Sequence, residues 1–207
     1  MASYTSEIPT NSANEIVDND EPETEVSNFE LFKNNITVLA QTVINENLSV
    51  VDLIVQISAE KFAADRTWLD CAQIFVPALL MYNVELYGNI STAKLAEEVL
   101  DAIVKYRDLL SIFCNNNSCT DDDKIELIFI IQDVCEQTAS DPLKFIFHVI
   151  LHRLYMEDVI DRISINRWHE GVGHEQDIDD ITKDLLDRCS DFIQWLNEED
   201  EEDDVID

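Results

Sequence analysis

Only three glycines and four prolines punctuate 207 residues, and that scarcity limits the fold more than any other feature. Hairpins draw on glycine for their positive-φ turns, and tight turns of other kinds draw on proline. A sheet protein of this length needs many such turns. With so few available, the chain is predicted to be long helices joined by short connections. Neither a Walker-type phosphate loop nor a dinucleotide fingerprint is present.

The apolar residues repeat with a helical period from end to end. Asn28 is placed to cap a helix striped by Phe29, Phe32, Ile36, Leu39 and Val43. Ser49 with Asp52 three residues on resembles a capping box and opens a second helix through Leu53, Ile54 and Ile57. A third spans about Arg66 to Leu86, with a kink expected at Pro77, and Ser91 caps a fourth carrying Leu95, Val99, Ile103, Tyr106 and Leu110. Thr120 caps the fifth, Asp141 before Pro142 opens the sixth, and the seventh covers about Asp161 to Glu170. In the eighth, Ile178, Ile181, Leu185, Cys189, Phe192 and Leu196 hold one face. Strand signals are nearly absent. The expected fold is all-α, with about eight helices in antiparallel pairs stacked as a curved helical-repeat domain.

Charge supplies the second constraint. With 44 acidic and 13 basic residues the net charge is −31. Nucleic-acid backbones and anionic membranes repel such a surface, so neither is expected as a partner. A basic partner is. Residues 1–27 hold seven acids and no Lys or Arg, and are expected to be a disordered acidic segment. Residues 197–207 hold eight acids in eleven positions and form an acidic tail. The helical domain between them, residues 28–196, is still acidic. No export signal or 18-residue apolar run occurs. The five cysteines form no CxxC pair, and Cys71, Cys135 and Cys189 fall at helical core spacing. Reduced thiols in a cytoplasmic protein are the expectation.

No constellation points to bond-making or bond-breaking chemistry. His148 and His152 stand four apart, a spacing that can put both on one metal. The intervening residues lack a metalloprotease glutamate and no third ligand follows, so they read as packing or surface histidines. No serine or cysteine sits in a nucleophile motif. Neither cofactor nor metal is expected. Near the C-terminus, aromatic residues stand beside dense negative charge, a combination suited to lysine-rich segments through ion pairing and cation–π contact.

Those segments, LYMEDVI at 154–160 leading to INRWHE at 165–170, and FIQWLNEEDEEDD at 192–204, resemble the paired aromatic/acidic boxes of a family of translation initiation factors. The family includes the epsilon subunit of initiation factor 2B, initiation factor 5 and the factor-5-mimic proteins. The run NLSVVDLIVQI at 47–57 is most similar to the epsilon subunit. The resemblance covers residues 29–204 and implies a HEAT-type α-α superhelix. It implies a guanine nucleotide exchange domain that binds initiation factor 2 through lysine-rich beta-subunit segments and the gamma-subunit GTPase, promoting GDP release. The alternative it implies is a factor-5-like or mimic module that docks on the beta subunit without exchange. Further factor 2B subunits are implied partners where a longer parent chain carries them. The epsilon subunit's nucleotidyltransferase-like and β-helix regions do not occur here, so an excised segment and a shortened relative are both open.

By the same resemblance, the first box maps to Tyr155, Glu157, Asp158, Trp168 and Glu170. The second maps to Phe192, Trp195 and the acids Glu198, Glu199, Asp200, Glu201 and Glu202. The exchange-critical leucine–glutamate pair of the family falls on Val55 and Gln56. Position 56 departs from it: an amide keeps the size and hydrogen-bonding capacity of glutamate but not its charge.

Overall fold

In a computed structural model, residues 22–46, 48–115, 121–137, 142–173 and 178–203 are described. They form eight α-helices and no strand: α1 (Pro22–Glu46), α2 (Val50–Ala63), α3 (Trp68–Tyr87), α4 (Thr92–Asn115), α5 (Asp121–Gln137), α6 (Pro142–Met156), α7 (Arg162–Gly173) and α8 (Asp180–Asp203).

Local chemistry sets the helix starts. Ser49 accepts a hydrogen bond from the Asp52 amide at 3.1 Å, and Ser91 accepts one from the Lys94 amide at 3.1 Å. Both caps agree with the sequence reading. The α3 start is better defined than expected, because Thr67 and Asp70 form a reciprocal capping box. Asp161 and Ser164 do the same at α7, and one Asp179 oxygen accepts from the amides of Ile181 and Thr182 at 2.8 Å each. The caps expected at Thr120 and Asp141 lie outside the described residues. Asn28 is not a cap. It lies inside α1, which begins at Pro22, a residue whose fixed φ suits a first helical position.

α2 and α6 close on an aspartate where glycine is usual. Asp65 and Asp158 take φ of 52° and 57°, and each closes a Schellman motif. Arg66 N donates to Lys61 O and Asp65 N to Phe62 O; Val159 N donates to Leu154 O and Asp158 N to Tyr155 O.

The helices stack in two layers. α1, α3, α5 and α7 follow one another in one layer, and α2, α4, α6 and α8 in the other; α1–α2, α3–α4, α5–α6 and α7–α8 pack across. This is the all-α, paired-helix stack expected. Each helix gives the shared core its own line of side chains, such as Phe32, Ile36, Ala40 and Val43 on α1. The stripe is rotated slightly from the predicted one, since Phe29 stays 37% exposed beneath the Arg66 guanidinium. α3 is long and apolar enough to cross a membrane by composition alone. In this fold it is a central helix, packed against α1, α4 and α5, and it runs through Pro77 unbroken. Cys71, Cys114, Cys135 and Cys189 are free and buried. Burial pushes the Cys71 and Cys189 thiols up to about 12, which keeps them protonated and inert.

Candidate partner-docking site

The layered stack sets α6 against α8, and α7 against both α5 and α8. Three side chains of the two boxes therefore meet, although they are forty residues apart. Tyr155 near the end of α6 approaches Phe192 at 6.5 Å and Trp195 at 6.1 Å between ring centroids, edge-on in both cases. Phe192 and Trp195, one turn apart on α8, stack at 5.9 Å. Tyr155 and Trp195 are half-buried, so this aromatic ledge keeps a solvent face, while Phe192 is nearly closed. Beyond it α8 continues into the acidic run. Glu198 is exposed; the helical backbone carries on through Glu199, Asp200, Glu201 and Glu202, whose side chains lie outside the described residues.

Trp168 is in a different place. It is 1% exposed, packs edge-on against Phe147 at 5.6 Å, and donates its indole N–H to Gln132 Oε1 at 2.7 Å. Gln132 in turn donates to Glu136 at 2.7 Å, and the Thr182 hydroxyl donates to the same Glu136 oxygen at 2.7 Å. One connected polar network thus ties α7 to α5 and α5 to the first turn of α8. The expectation that Trp168 shares a partner-facing surface does not fit this burial. Its indole holds the helices that present the surface. Periodicity on a short helix gave no sign of the Gln132 partner, which lies 36 residues earlier.

The acids of the first box also divide. Glu157 is drawn in, with its side chain 13% exposed between Arg107 at 3.4 Å and Arg153 at 3.5 Å. Asp158 is exposed at the positive-φ turn, and Glu170 is exposed on α7. Asp161, between the two segments of the first box, pairs with Lys124. Burial acts to raise its pKa, but the Lys124 bond and the Ser164 amide outweigh that and hold it below the ordinary carboxylate range. Carboxylates near α6–α7 are thus partly satisfied internally.

Two histidines complete the ledge. His148 and His152 line a groove of about 500 Å³ with Val149, Asp191, Phe192 and Trp195. His152 lies 5.3 Å from both the Phe192 and Trp195 rings. His148 Nδ1 is buried without a partner, and burial, followed by nearby Arg188, lowers its pKa against the opposing pull of Asp191. The i, i+4 spacing showed that the two share a face. It did not show that the face meets α8. Among the described residues no group of three metal-ligating side chains occurs.

Val55 and Gln56 stand on α2, a helix that packs chiefly on α1, α4 and α3. Val55 is 62% exposed. Gln56 is exposed on the side toward α1, in a groove with Asn35, Val38, Leu39, Ala59 and Glu60. The structure does not bring this pair together with the boxes.

Comparison with known proteins agrees with the resemblance seen in the residues. The family model W2, described as eIF4-gamma/eIF5/eIF2-epsilon, matches residues 123–205. The translation initiation factor eIF2B subunit epsilon of Dictyostelium discoideum is 32% identical over 162 residues, which cover 77% of this chain. The match spans 22% of that relative's length. Residues 123–205 thus match the W2 family model, and the aromatic and acidic side chains assembled on α6, α7 and α8 all lie inside the matched stretch.

Proposed function

We propose that this chain acts in translation initiation in the cytoplasm, as an exchange domain of the factor 2B epsilon type. Its α6–α8 ledge holds lysine-rich beta-subunit segments of initiation factor 2, and the α2 end engages the gamma-subunit GTPase to promote GDP release. The observation that carries the reading is the aromatic ledge of Tyr155, Phe192 and Trp195 leading directly into the acidic end of α8. A lysine side chain can lay its methylenes on the rings and its ammonium toward the carboxylates. The division into an acidic N-terminal segment, a helical domain and an acidic tail belongs to the same proposal, but α1 reaches back to Pro22 and α8 forward to Asp203, across the bounds of 28 and 196 read from the sequence.

Exchange breaks no covalent bond. The domain lowers the barrier to GDP release by binding the open state of the GTPase more tightly than the closed one. Support for exchange is the similarity to the epsilon subunit across most of the chain and the exposure of Val55 and Gln56 on a helix clear of the ledge. The amide at 56 favours the second reading, a module that docks without exchange. Release of labelled GDP from purified factor 2, with the chain and with Gln56→Glu, decides between them. Acceleration by the chain supports exchange. Binding to the beta subunit with no acceleration supports the docking module, and rescue by Gln56→Glu identifies position 56 as the cause.

A further inference from the structure

α6 and α8 lie side by side in the second layer, and one turn of each, His148 to His152 and Asp191 to Trp195, walls the groove of about 500 Å³. Rings make up most of the lining. The His152 imidazole stands 5.3 Å from both the Phe192 and Trp195 rings, edge-on to each. Asp191 is the one acid among the lining residues. It is exposed and reaches no Lys or Arg among the described residues.

His148 adds no charge to this surface. Its Nδ1 is buried without a partner, so a second proton on the ring would be a buried donor with nothing to bond. Arg188, toward the start of α8, is bonded to Asp184 at 2.8 Å and lies over Phe145 at 4.6 Å. Across the two helices ten acids stand against four cations. A slot walled by rings with a bare carboxylate at its edge fits a long aliphatic stem that ends in a cation. A second copy of a chain of net charge −31 is repelled by it. Asp191 and Glu198 stand on the same side of α8, seven residues and about 10 Å apart, with Trp195 between them. The ledge is therefore bracketed by carboxylates at both ends. Lysines three residues apart on an extended segment span about 9 Å, close to that separation.

We infer that the α6–α8 groove is a second lysine site, so that the lysine-rich segment is held on both sides of the aromatic ledge. One lysine lays its stem across the His152, Phe192 and Trp195 rings and carries its ammonium to Asp191, while another reaches Glu198. His148, His152 and Asp191 lie outside the aromatic/acidic boxes and become binding residues. The inference rests on the docking reading and adds to it the path of the segment along α8.

Calorimetric titration of the full chain with heptalysine at low salt tests it. Asp191→Asn is expected to weaken binding about threefold or more. Asp187→Asn removes the same charge from an exposed position one turn away that does not line the groove, and should weaken it by less than about 1.5-fold. His152→Ala strips one ring from the slot and should cost about threefold, and His152→Phe, which keeps a ring there, should restore the parent affinity. A thermal melt of each variant confirms folding. In NMR of the histidine and tryptophan side chains, heptalysine is expected to shift His148, His152 and Trp195 together. Equal losses from Asp191→Asn and Asp187→Asn leave only the general charge of α8 and overturn the inference. Histidine rings that stay unmoved while Trp195 shifts overturn it too, and leave the docking reading standing. Histidine shifts with Trp195 unmoved count against the ledge and keep the groove. A parent chain that does not bind heptalysine removes both.

Discussion

Replacing Trp168 with phenylalanine separates a structural role from a contact role within the first box. The substitution deletes the indole N–H and leaves Gln132 Oε1, in a residue 6% exposed, without its donor. Orphaning a buried acceptor costs about 1–3 kcal/mol. The smaller ring leaves a void of about 40 Å³, which adds about 1 kcal/mol at the usual cavity cost. The total, about 2–4 kcal/mol, corresponds to a melting point lower by about 6–12 °C for a domain of this size. Thermal unfolding followed by circular dichroism measures the loss. Binding of a lysine-rich peptide, measured well below the transition, should stay within about twofold of the parent. An unchanged melting point with lost peptide binding would refute the reasoning, since it would make Trp168 a contact residue despite its burial.

Trp195→Ala should weaken lysine-rich peptides by about 1–2 kcal/mol in calorimetry; because the ring is half-buried against Tyr155 and Phe192, its loss also lowers the melting point, and binding is read well below the transition. In the parent, affinity should fall by about tenfold between low and physiological salt; salt independence would remove the ion-pairing account. Asp65→Gly relieves a side chain held at φ 52° and should raise stability by about 0.5–1 kcal/mol in denaturant titration. The lowered pKa of Asp161 means its contribution is present above the unfolded carboxylate value and is lost as pH falls through the lower folded one. Asp161→Asn should therefore flatten stability against pH on the acid side, below about pH 4.

Why the helices were legible and the site was not can be traced to particular residues. Ser49, Ser91 and Asp161 announce helix starts through side chains that bond their own third residue, a signal contained in four positions. Buried lines such as Leu95, Val99, Ile103, Tyr106 and Leu110 follow directly from the 3.6 period. What a single sequence does not carry is which helix faces which. The α6–α8 contact places His148 and His152 against Phe192 and Trp195 across forty residues. The Gln132–Trp168 bond crosses thirty-six. Ile181 shows the same limit on a smaller scale. It fits the predicted stripe of α8 but is 38% exposed, while neighbouring Thr182 is buried. The Thr182 hydroxyl has Glu136 to bond, and that partner outweighs the apolar preference.

Under the proposed docking, the split among the box acids sets how a lysine-rich segment would be held. Glu157 already lies between two arginines in a partly desolvated position. Pulling it toward an incoming ammonium breaks two existing ion pairs to make one, with little net gain. Asp158, Glu170 and Glu198 are exposed and lie between no such pair of arginines; Glu198 accepts a hydrogen bond from Gln194 at 2.6 Å, so a lysine at these acids gains Coulomb energy at a smaller internal cost than at Glu157. At an effective dielectric near 20, a pair at 4 Å is worth about 4 kcal/mol before desolvation and side-chain ordering reduce it to about 1 kcal/mol or less. Several such weak, salt-sensitive contacts, rather than one buried pair, match a partner segment that is itself repetitive in lysine.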